Sequence, residues 1–172
     1  MKKIYIVLTY TGTTLSKLIK YYTHSEFSHV SISLDDKLEK LYSFGRLNPY
    51  NPFRGGFIHE GIDIGTFKRF YKTTAIIYSI CITDEQYEKI ENTIKMFEEN
   101  KEEYKFNVIG LFAAGINKKI QFKNKLYCAE FVKYVLDTSG IETNLPQIVK
   151  PEDFKYIDNK ELLYKGVLKE YK

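Results

Sequence analysis

Tryptophan is absent from the 172 residues, and only two cysteines and three histidines are present. Two cysteines, Cys81 and Cys128, cannot build a disulfide framework, and no CxxC or Cys/His cluster offers zinc ligands. No apolar run approaches the ~20 residues of a membrane span. The lysines behind the net charge of +4 are scattered rather than gathered into a block, so nucleic acid is not an expected partner. Lys2 and Lys3 precede an apolar run, as in a secretion signal. That run ends at Leu8 and no small-residue cleavage site follows, so it reads as a first strand, and the expected compartment is the cytoplasm. Internal repeats and low-complexity tracts are also lacking. What remains is a soluble-type composition, rich in Tyr (15) and Phe (12), long enough for one domain over residues 1–172 with a real core.

Periodicity supplies the elements. Lys3 to Thr9 is a strand, and Leu15, Leu18, Ile19 and Tyr22 recur at helical spacing after a Thr-Gly-Thr turn. The stretch "HVSISL" alternates, with Val30, Ile32 and Leu34 on one face and His29, Ser31 and Ser33 on the other. Asp35-Asp36-Lys37 signals a turn into a second strand, Lys40 to Phe44. From Gly45 to Arg69, prolines and glycines predict a long loop with at most a short strand near Phe57 to His59. Its run "NPYNPFRGGFIHEG" is a candidate mobile flap over a substrate. "AIIYSICI" reads as a buried strand that includes Cys81. Thr83 to Gln86 reads as a capping box opening a helix through Tyr87, Ile90, Ile94 and Phe97. Tyr104 to Asn124 is less regular, and Tyr164 to Tyr171 is a candidate last strand.

The chemistry centres on "NKLYCAEFVKYVL". With Asn124 as N-cap, Cys128 lies in or near the first helical turn, where backbone amides and the helix dipole favour a thiolate. Val132, Val135 and Leu136 share the inward face. A cysteine so placed is equally at home as a small core residue, unless a base stands beside it. His29 is the best partner, because a helix can approach its Ser31/Ser33 face closely. His24 reads as solvated, and His59 could line a cleft. A third group should orient the imidazole. If the hairpin loop is three residues long, Leu34 faces Leu38 and His29 faces Ser43; a slip of one residue would bring Phe44 there instead. Ser43 is the candidate orienter, with Glu60 and Glu130 as alternatives.

"SHVSISL", then "LYSFGR", then "LYCAEFVKYVL" about a hundred residues later, resemble the circularly permuted NlpC-type, papain-like cysteine peptidases of the YiiX-like group. The resemblance spans roughly Ile4 to Leu136 and rests on the order His, third polar residue, Cys. It implies an α+β fold, a small antiparallel sheet packed against helices. It also implies Cys128 as nucleophile, His29 as base, Ser43 at a position where some relatives carry histidine, and Tyr104 near the oxyanion site. The implied activity is hydrolysis or acyl transfer through a Cys128 thioester, on a peptide, muropeptide or lipid acyl substrate, with no cofactor or metal. The rival reading is a lipid- or peptide-binding module on the same scaffold.

Overall fold

The computed structural model describes residues 1–48 and 51–171. Six strands form one antiparallel sheet: β1 (Lys2–Tyr10), β2 (His29–Ser33), β3 (Leu41–Asn48), β4 (Asn51–Glu60), β5 (Thr74–Ile82) and β8 (Lys160–Val167). Their order is β4-β3-β2-β1-β5-β8, so the earliest strand lies inside the sheet. Between them the chain forms α1 (Thr14–Thr23), α2 (Gly65–Arg69), α3 (Asp84–Glu99), α4 (Val108–Gly115) and α5 (Cys128–Thr138). Two short strands, β6 (Lys105–Phe106) and β7 (Lys125–Leu126), pair in parallel. The fold is therefore α+β. Among the described residues no helix is long and apolar enough to cross a membrane.

Alternation decides the layers. Ile4, Ile6 and Leu8 of β1 and Val30 and Ile32 of β2 pack against α3 and α5, through Ile90, Ile94, Phe131, Val132 and Val135. Tyr5, Val7, Leu41 and Ile77 project to the other face, covered by Phe67 of α2 and by Leu168. Each fully buried large aliphatic or aromatic side chain is worth about 1.5–3 kcal/mol. The helix signals in the sequence work as expected. Thr83 accepts from Gln86 N at 3.1 Å and Gln86 returns a bond to Thr83 N at 3.0 Å.

The segment expected to be a loop is instead a strand hairpin. β3 runs on to Asn48, β4 returns from Asn51, and α2 follows. Pro49 and Tyr50, part of the expected flap, lie outside the described residues. Glycine is there for close approach rather than for looseness. Gly45 pairs with Gly56 across the hairpin. A Cβ on Gly55 would stand 2.6 Å from the Gly45 carbonyl oxygen and 2.7 Å from Phe106 Cβ. An aromatic cluster holds the hairpin to the helices: Phe44 and Phe131 centroids are 5.3 Å apart, and Phe57 and Phe97 are 6.0 Å apart. The irregular stretch after Tyr104 contains a helix of its own, α4, capped by Asn107 Oδ1 accepting from Gly110 N at 2.9 Å.

Two further expectations change. Asn124 is not the N-cap of α5; it is a left-handed turn residue with φ 54°, and Tyr127 precedes the helix. Cys128 is thus the first helical residue. Cys81 is exposed, not buried. It pairs with the exposed Lys3 near the end of β1 and β5, beyond the cover of the second apolar layer.

Candidate active site

His29 is the first residue of β2 and Cys128 the first of α5. Both line one cleft, which contains about 520 Å3 of empty space, part of it open to solvent. The reason for their meeting differs from the sequence argument. Helix α5 packs on the aliphatic Val30/Ile32 face, not on the serine face. His29 reaches the sulfur because it stands at the end of its strand, beside the start of the helix.

The ring is held from two sides. His29 Nε2 lies 3.1 Å from Glu60 Oε1 and 3.2 Å from Oε2. On its other side the ring adjoins Cys128, which lines the same cleft and acts on its charge. With Nε2 on the carboxylate, Nδ1 is the ring nitrogen left for the sulfur. Burial disfavours the imidazolium, but the Glu60 charge and the interactions with Cys128 and Glu60 outweigh it, raising the pKa from 6.5 to about 10. Glu60 is itself buried, and its Oε2 also accepts the Ser31 hydroxyl. Charge-assisted bonds of this kind fix a carboxylate firmly.

Ser43 does not orient the ring. The turn after β2 is longer than three residues: Leu34 N donates to Lys40 O at 3.1 Å, and Ile32 pairs with Tyr42. Continued one step, that register sets Ser43 opposite Ser31 and, two steps further, Gly45 opposite His29. The Ser43 hydroxyl donates to the Val30 carbonyl at 2.7 Å and is fully buried. Its job is to tie β3 to β2. Glu60, weighed in the sequence only as an alternative, holds the position beside the ring. Glu130 instead caps α5 by accepting from Tyr127 N at 3.2 Å.

Tyr104 is also elsewhere. Its ring packs on Phe97 at 4.7 Å and its hydroxyl points to Met96 Sδ at 3.7 Å. It lines a separate hollow with Phe122 and Tyr134, away from Cys128. The other histidines are remote in role. His24 is an exposed residue at the left-handed end of α1, and His59 Nε2 bonds the Glu39 carbonyl at 2.6 Å.

The sequence argument missed two groups. Thr9 pairs directly with His29 across β1 and β2, is fully buried, and its hydroxyl has no hydrogen-bond partner among the described residues. Arg46 of β3 lines the cleft with Cys128, Glu60 and Phe67. No composition signal marks either residue. Both follow only from strand register.

No family model and no curated protein matches the chain. Among solved structures, metalloprotein YiiX from Escherichia coli O157:H7 is similar over 95% of this chain and 97% of its own, with TM-score 0.53 and 14% identity. Here no group of three or more His, Cys, Asp or Glu side chains is arranged to hold a metal ion among the described residues. Glu60 accepts from His29 and Ser31, the arrangement of a hydrogen-bonded carboxylate rather than of a ligand set. The likeness extends over nearly the whole chain, and at this identity it establishes that the protein has a YiiX-like fold.

Proposed function

We propose that residues 1–172 form one catalytic unit, a cysteine-dependent hydrolase or acyltransferase with the His, carboxylate, Cys order of a permuted papain-like enzyme. One observation carries the reading: the His29 ring, bonded to the Glu60 carboxylate, shares a cleft with Cys128 at the start of α5. A ring whose pKa is about 10 holds its proton at neutral pH, so an imidazolium stands beside the sulfur that attacks as the thiolate.

The thiolate adds to the carbonyl carbon of an amide or acyl ester. Free amides of the first turn of α5 face the oxygen that gains charge. As the carbon–nitrogen or carbon–oxygen bond breaks, His29 gives its proton to the departing amine or alcohol, leaving a thioester on Cys128. Neutral His29 then takes a proton from water or another acceptor, which attacks the thioester. The acid or transferred acyl product departs, and thiolate and imidazolium are restored. Glu60 holds the ring in one tautomer and orientation throughout. The substrate is a peptide, a muropeptide or a lipid acyl compound.

Intact-protein mass spectrometry after mixing with an activated ester tests this. The expected result is a single acyl mass on Cys128 that decays with time, is absent in Cys128→Ala and forms slowly in His29→Ala. Acylation that ignores both substitutions would end the proposal.

A further inference from the structure

Arg46 is half-buried at the cleft wall, and its guanidinium forms no ion pair or hydrogen bond with any described residue. Arg46 Cζ lies 5.7 Å from the centroid of the Phe70 ring, which holds the planar group without satisfying its donors. Glu60 is nearby but committed to His29 and Ser31. Burial first, and then the neighbouring Arg69 charge, lower the Arg46 pKa against the opposing pull of Glu60. An arginine is costly to bury without an anion, and its five donors match a carboxylate or phosphate in a two-pronged grip. Among the described residues that line the cleft, Arg46 is thus a cation whose donors no carboxylate takes up.

Resting on the acyl-transfer reading, we propose that Arg46 binds an anionic oxygen group, carboxylate or phosphate, on the substrate whose carbonyl Cys128 attacks. Arg46 then selects among acyl compounds: those with such a group within the span of the cleft are held, and neutral ones of the same length are not. The leaving group and the acyl chain are both admissible carriers of the charge. The Phe67 and Phe106 rings that share the cleft would pack on the uncharged part.

Iodoacetate and iodoacetamide test the site without any need for turnover. They are nearly the same size and differ by one negative charge. In a Cys81→Ser background, the ratio of their alkylation rates at Cys128 is expected to fall about fivefold in Arg46→Gln, the scale of one partly screened charge. It should fall much less in Arg46→Lys. An equal ratio in wild type and Arg46→Gln, with the variant folded by circular dichroism, overturns the proposal. If Arg46 served only to balance Glu60, both reagents would slow together and the ratio would hold.

Two further arms identify the anion. Inorganic phosphate and succinate, at matched ionic strength, should protect Cys128 from iodoacetamide in wild type more than in Arg46→Gln. Protection by phosphate alone points to a phosphate ester, protection by succinate alone to a carboxylate, and protection by neither overturns the site. The p-nitrophenyl half-esters of succinic and glutaric acid should acylate Cys128 faster than the esters of butyric and valeric acid. Failure of all four esters, with the alkylation ratio still dependent on Arg46, would end the acyl-transfer reading and leave the anion site standing.

Discussion

Glu60 Oε1 sits 3.1 Å from His29 Nε2, although the two residues belong to strands separated by β3. The carboxylate crosses beneath β3 on the serine side of the sheet, where Ser31 and Ser43 leave room. Small residues at those positions are what permit the contact.

Removing that charge should be felt at the ring first. In Glu60→Gln the His29 pKa should drop well below its value of about 10, as read by an NMR titration of the imidazole. Turnover should fall about tenfold or more, because ring orientation is lost. Ser43→Ala is the contrast. It removes one buried hydrogen bond to the Val30 carbonyl and should cost about 1 kcal/mol of stability, with a much smaller loss of turnover. Equal losses of turnover in two folded variants would return Ser43 to the site.

Stability should depend on pH in a definite direction. The folded protein holds the His29 proton more tightly than the unfolded chain, with a pKa of about 10 against 6.5. That contribution is complete below pH 6.5 and disappears as the pH climbs through 10. Urea unfolding of wild type and His29→Gln should therefore show a gap that narrows from pH 6 to pH 10.5. A gap that widens over this range would rule out the buried imidazolium.

The two cysteines make an internal comparison that burial now sharpens. Cys81 is exposed, whereas Cys128 is only 1% exposed and lines the cleft. Access alone would label Cys81 first. Near pH 6 a limited dose of iodoacetamide should nonetheless label Cys128 first, and His29→Ala should reverse the order. At pH 9 the substitution should matter little. Cys81 leading in wild type at pH 6 would favour an inert core thiol at position 128.

Gly55→Ala probes the hairpin. Its new methyl group would meet the Gly45 carbonyl oxygen, a backbone atom that cannot swing aside. Thermal unfolding should show a loss of about 1–3 kcal/mol. A variant as stable as wild type would mean that β3 and β4 are not held as tightly as the glycines suggest.

Alternation revealed β1 and β2, helical spacing revealed α1, α3 and α5, and residue type with chain order singled out His29 and Cys128. These signals are local. Glu60 could be named only as an alternative, and Arg46 not at all, because their positions depend on the pairing of β3 with β4, and glycine and proline made that hairpin look like a loop. Ser43 was misassigned by a turn longer than the one assumed. Tyr104 was misassigned because, in a chain so rich in aromatics, spacing from a cysteine cannot separate a cleft residue from a ring packed on Phe97.

The position of α5 late in the chain also sets the order in which the site residues are synthesised. His29, Arg46 and Glu60 leave the ribosome well before Cys128, and domains tend to organise as their sequence emerges. The imidazole and its carboxylate can thus be in register before the sulfur exists as part of the chain. A nascent fragment that stops short of α5 carries no nucleophile at this site, and β8, the last strand of the sheet, is made later still.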